Sequence, residues 1–284
     1  MLSSRALKNI DESGRPWRFT PTPTYDPDTN PTGLISFGLA ENITFNLDSI
    51  SYRSSAATTT QLPAIAAEHL DKVLKTHKPI QPDHVFVADS ASSLGNLLGY
   101  NLAERGEAIL VNRPVYGRFE LDYGVEAGVE IVYANTTTEE AFTPDAVQKF
   151  EEALKRSEER GVKIRAVLLV NPHNPVGEAS HLDHIDQISF KSTEANMAGC
   201  IGRCYPVDTL CQIARFCNEH KLHFICDEMY ASCVFDSGDP EAIPFTSILS
   251  LDFEKLIDPA LVHVLYGFSK VGHFCIFQAH APAE

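Results

Sequence analysis

The sequence predicts an α/β protein with a mostly parallel central sheet and flanking helices. One observation is the alternation, from about residue 62 onward, of short β-rich runs with helical periods. The other is the scale: 284 residues, 44% hydrophobic and 21% charged, suit a globular chain with one large domain and part of a second. The expected strands are His84–Ala88, Ala108–Val111, Glu130–Ala134, Arg165–Val170, Leu222–Cys226 and Val262–Tyr266. Helical spacing is expected over Pro63–Lys78 (Ile65, Leu70, Val73, Leu74), Ser93–Arg105, Pro144–Gly161 and Pro206–His220. Ligands of such sheets sit beyond the carboxyl ends of the strands, so residues there carry the functional question.

Charge and composition narrow the partners. A net charge of -15 repels phosphate backbones and anionic bilayers, which argues against nucleic acid and membrane. No apolar run reaches the roughly 18 residues of a spanning helix. Asp11 and Glu12 come before any apolar stretch, so no secretory signal is expected. The seven cysteines include no CxxC pair, which suits reduced thiols and a cytoplasmic protein. Residues 51–62 are small, polar and low in complexity, and read as a linker. Residues 178–202 show no period, and His181 and His184 within them read as solvated, so no metal site is expected.

Four motifs carry chemistry. Asp227-Glu228-Met229-Tyr230 follows a strand and could offer a charge partner and a hydroxyl, or only a cap and a core tyrosine. In Tyr266-Gly267-Phe268-Ser269-Lys270 a lysine follows a strand, where it could form a Schiff base or simply lie in solvent. Asn171-Pro172-His173-Asn174-Pro175-Val176-Gly177 makes a rigid turn that presents the Asn174 amide. Asp89-Ser90-Ala91-Ser92-Ser93 stands before a helix and could cradle an anion or serve as a plain N-cap.

NPxNPxG, then DExY, then SK, in that order, resembles the class I/II aminotransferases, which are pyridoxal-phosphate (PLP) enzymes of fold type I. Gly33–Asn42 and Arg113–Asp122 narrow the resemblance to the branch of the 1-aminocyclopropane-1-carboxylate (ACC) synthases. It implies an aspartate-aminotransferase-like large domain, pyridoxal 5'-phosphate as cofactor, an amino-acid substrate and a homodimer. It also implies roles. Lys270 holds the cofactor and shuttles the α-proton. Asp227 pairs with the pyridine nitrogen, and Tyr230 and Asn174 bond the ring oxygen. Tyr116 stacks on the ring, while Ala91, Ser92 and Ser269 hold the phosphate. Ala40 and Glu41 lie near the substrate. Transamination and ACC-synthase-like α,γ-elimination both remain open.

The chain departs from the family pattern in three places. The resemblance divides it into an N-terminal arm over 1–62 and a PLP-binding large domain over 63–284. Residues 178–202 read as an insertion, because their deletion joins Gly177 to Arg203 and restores an unbroken family-like motif. After Lys270 the family's phosphate-binding and carboxylate-binding arginines have no counterpart, and 271–284 reads as an atypical tail. Residues 51–62 replace a family segment containing a tyrosine that usually reaches a dimer partner's phosphate. Translation of two retained introns would explain the insertion and the tail together. On that expectation the small C-terminal domain is missing and the chain is a truncated, inactive product.

Overall fold

The apolar runs pair into one sheet in the computed structural model, which describes residues 3, 4, 7, 57–88, 90–174, 176, 202–234, 242–267 and 276–280, the side chains of 57–61 and 276–280 excepted. The strands are β1 (Val85–Ala88), β2 (Ala108–Asn112), β3 (Glu130–Ala134), β4 (Ile164–Val170), β5 (His223–Asp227), β6 (Val262–Gly267) and β7 (Ile276–His280). They form a seven-stranded sheet in the order β1-β7-β6-β5-β4-β2-β3. Strands β2 to β6 pair in parallel, whereas β7 runs antiparallel to both of its neighbours, β1 and β6.

The helices are α1 (Ala57–Leu74), α2 (Ala91–Leu102), α3 (Phe119–Gly124), α4 (Ala146–Glu159) and α5 (Val207–His220). They cover both faces of the sheet, which explains why the strands are apolar without alternation. In β4, Val167 and Leu169 join the core formed with α1, α4 and α5. Ala166, Leu168 and Val170 point the other way, into the core formed with α2 and α3. Phe150 of α4 and Phe216 of α5 meet at 5.7 Å between ring centroids on the first face. Leu94, Leu98 and Leu102, at helical spacing on α2, fill the second.

Three expectations change. The linker expected at 51–62 is helical from Ala57 on, since α1 begins there and runs through the expected domain boundary at 62/63. Low complexity misled there because alanine and glutamine are good helix formers, and Pro63 is accommodated inside the helix. Helix α3 was not expected, its six residues being too few to show a period. Within the tail, Ile276–His280 is a sheet strand, paired on both edges. Five residues gave too short a pattern to read before the neighbouring strands were in place.

Because β7 lies between two partners, a proline at Gln278, opposite Phe86 and Leu265, removes a ladder donor inside the sheet. Gln278→Pro should therefore lose on the order of 1–3 kcal/mol of stability in denaturant unfolding, the cost of leaving the ladder acceptor unsatisfied. A loss under about 0.5 kcal/mol, the range of neutral surface changes, would place the strand outside the sheet.

Candidate active site

One cleft opens where β4, β5 and β6 approach the helix α2 and α3 side of the sheet. Ala91, Ser92, Tyr116, Asn174, Asp227 and Tyr230, all expected site residues, line it together. They come from four separate places in the chain. Ala91 and Ser92 open α2, whose N-cap is Ser90: its hydroxyl oxygen accepts from the Ser93 amide at 3.1 Å. Tyr116 lies between β2 and α3, with its ring edge-on to Phe119 at 5.3 Å and 76°. Asn174 follows β4, and Asp227 is the last residue of β5.

Backbone pairing aligns the two central strand ends. Val170 stands opposite Asp227, and the Asn171 amide donates to the Asp227 carbonyl at 2.9 Å. The Asn171 side chain then anchors the turn, donating to the Thr246 carbonyl at 2.9 Å and accepting from the Tyr205 amide at 3.1 Å. From that anchored turn Asn174 Nδ2 donates to the Tyr230 hydroxyl at 3.3 Å. Asp227 Oδ1 accepts from the Met229 amide at 3.2 Å, which orients the carboxylate. The Ser92 hydroxyl donates to Asp122 Oδ1 at 2.8 Å, so an anion at this helix start would compete with Asp122 for it.

His173 and Glu228 support the site from below. His173 packs against Phe142 at 5.3 Å, and its Nδ1 accepts from the Val176 amide at 3.3 Å. Burial lowers its pKa to about 4, so it is neutral near pH 7. Glu228 is fully buried, and its Oε1 accepts from the Ile248 amide at 3.1 Å. Burial raises its pKa to about 8, against the lowering effect of the Ser247 hydroxyl and the Ile248 amide. The sequence pointed to no site role for either residue, nor for Phe119, Asp122, Tyr123, Met229, Val170 and Leu265, which also line the cleft. Phe119 and Tyr123, four apart on one helix, were the signal available.

Lys270, Ser269, Ala40, Glu41, Asp89, His181 and His184 lie outside the described residues, as do 271–275 and all of the expected insertion except Gly202. Strand β6, whose Leu265 lines the cleft, ends at Gly267 shortly before Ser269 in the sequence. The two flanks of the insertion meet. The His173 amide donates to the Arg203 carbonyl at 3.0 Å, and the Arg203 amide donates to the Val176 carbonyl at 2.9 Å. Gly202 lies so close that an added Cβ would stand 2.3 Å from the His173 carbonyl oxygen, so only glycine fits.

A mostly parallel sheet with one reversed strand and helices on both faces is the large-domain fold of aspartate-aminotransferase-like proteins. The family model for aminotransferase class I and II matches residues 49–198 and 195–271, and the chain belongs to that family of PLP-dependent enzymes. It is similar to Probable aminotransferase ACS12 of Arabidopsis thaliana, 27% identical over 95% of this chain and 54% of the relative. It is also similar to the 1-aminocyclopropane-1-carboxylate synthase-like protein 1 of Homo sapiens, at 28% over 87% and 47%. Among solved structures, aspartate aminotransferase from Thermus thermophilus shares the fold with a TM-score of 0.55 and 18% identity, over 78% of this chain and 47% of that one. The chain thus spans about half the length of the curated relatives it matches.

Glu228 gives the site a pH-dependent stability. Its folded pKa of about 8 lies above the ordinary value of 4.5, so between those limits the folded state binds the extra proton and stability falls as pH rises. Each unit is worth about 1.4 kcal/mol, which puts the full effect on the order of 5 kcal/mol. Glu228→Gln, which is neutral throughout, should match the parent near pH 5 and exceed it by several kcal/mol near pH 8 in denaturant unfolding. An equal difference at both pH values would mean that Glu228 does not titrate in this window.

Proposed function

We propose that this chain binds pyridoxal 5'-phosphate in the cleft and uses it to react an α-amino acid, by transamination or by an ACC-synthase-like α,γ-elimination. The convergence of six expected residues from four chain segments on one cleft carries the proposal. When bound, the cofactor supplies an electron sink for the negative charge left at the α-carbon after proton loss.

The donor set fits such a group. Asp227, a carboxylate at a strand end, would hold the pyridine nitrogen in its protonated form. The Asn174 amide and the Tyr230 hydroxyl, already joined to each other, would bond the ring oxygen. Tyr116 offers an aromatic face, fixed by its edge contact with Phe119. The start of α2 offers backbone N–H groups and the Ser92 hydroxyl to the phosphate. Lys270 would bind the cofactor covalently and carry the proton at the substrate α-carbon, with Ser269 at the phosphate and Ala40 and Glu41 near the substrate. A homodimer belongs to the same proposal.

Purified protein incubated with PLP and reduced with borohydride should carry the label on the peptide containing Lys270. Label on another lysine, with Lys270 unmodified, would sink the assignment. Asp227→Ala should still take up the cofactor but lose most α-proton exchange, measured by deuterium incorporation into a test amino acid. Undiminished exchange would show that another group protonates the ring nitrogen. A chain lacking 178–202 should be at least as stable as the parent, because the Val176–Arg203 backbone bond leaves a gap that Gly177 can span. A marked loss of stability would show that the segment is part of the fold.

A further inference from the structure

None of the roles assigned above uses Tyr123, which lies in the same cleft as Asp227. The residue is 1% exposed, and its hydroxyl has no hydrogen-bond partner among the described residues. A phenol O–H removed from water without an acceptor costs free energy that a well-packed fold ordinarily avoids. The ring is nevertheless firmly seated. It meets Phe119 at 6.0 Å and 70°, and α2 carries glycine at the point of contact. A Cβ added at Gly95 would stand 3.2 Å from the Tyr123 ring, so the helix gives up a side chain to make room for the phenol.

The surroundings say what the hydroxyl can do. Burial first, then the charges of Asp227 and Asp122, hold the phenol well above its usual pKa, so it stays protonated and can donate. Asp227 acts on it strongly enough to rank ahead of the sequence neighbour Asp122. Val170, Met229 and Leu265, which line the cleft at the strand ends, are apolar and offer no side-chain oxygen, while the Asn174 amide and Tyr230 hydroxyl there are bonded to each other.

We propose that Tyr123 is a positioning residue for Asp227: with the cofactor in the cleft, its O–H donates to the Asp227 carboxylate, directly or across one enclosed water, and fixes that carboxylate against the ring nitrogen. The assignment rests on Asp227 facing the cofactor, as proposed above. It goes further in giving the acid a neutral hydroxyl partner from the wall of the same cleft. That partner is a residue the resemblance did not single out.

Tyr123→Phe keeps the ring and removes only the oxygen, so packing against Gly95 is preserved. The experiment measures PLP affinity by titration, together with the melting temperature of the cofactor-free protein, for the parent, Tyr123→Phe, Asp227→Ala and the double variant. The cofactor-free Tyr123→Phe protein should melt at or above the parent temperature, because a buried unpaired hydroxyl has gone. Its PLP dissociation constant should rise about tenfold, the value of one hydrogen bond to a charged group. In the Asp227→Ala background the same change should matter less than about twofold, which a purely structural role would not produce. An unchanged affinity in Tyr123→Phe would overturn the proposal, and so would an equal loss in both backgrounds or a clear fall in the cofactor-free melting temperature. A parent protein that takes up no PLP would overturn the cofactor reading and this one with it, whereas normal parent binding with an indifferent Tyr123→Phe overturns this one alone.

Discussion

The register between β4 and β5 is the constraint on which the rest depends. Val170 stands opposite Asp227, and the next amide, that of Asn171, closes onto the Asp227 carbonyl. This pairing brings the Asn174 turn and the Tyr230 hydroxyl, 56 positions apart in the chain, within hydrogen-bond reach. Side chains on a strand alternate between faces, so a slip of one residue would turn Asp227 away from the cleft and send Cys226 into it. The slip is prevented by burial on both faces. Ile225 is committed to the core with α2 and α3, and Phe224 and Cys226 to the core with α1, α4 and α5.

The same alternation explains two adjacent acids with different surroundings. Asp227 sits at the cleft, with a backbone amide on its carboxylate. Glu228 points into the protein, where burial outweighs its polar contacts and favours the protonated form. Its Oε1 holds the Ile248 amide, and Asn171 holds the Thr246 carbonyl, so both tie the strand ends to the segment leading towards β6.

Much of the architecture was legible in advance because strands buried on both faces are written as continuous apolar runs. The six expected strands fall within one or two residues of their observed bounds. The errors have a common origin in short elements. Helix α3 has six residues and β7 five, too few for periodicity to speak, and both depend on neighbours that close them into the fold. The start of α1 was misjudged because a polar, low-complexity composition is compatible with a helix once an apolar face further along anchors it.

By itself the sequence determined the residue types, their order and the strands that carry them: the acid and phenol after β5, the amide in the proline turn after β4, and the small residues opening α2. It also carried the resemblance that gives Lys270 its proposed role. Only the tertiary structure decided which of these groups meet, that Asp122 takes the Ser92 hydroxyl, that His173 and Glu228 lie beneath the turn, and that the Tyr123 hydroxyl is buried in the cleft of Asp227 without a hydrogen-bond partner among the described residues. The physical reason is that hydrogen bonding and desolvation depend on distances between residues far apart in the chain. Those distances are fixed by strand register and helix packing, which no local pattern encodes.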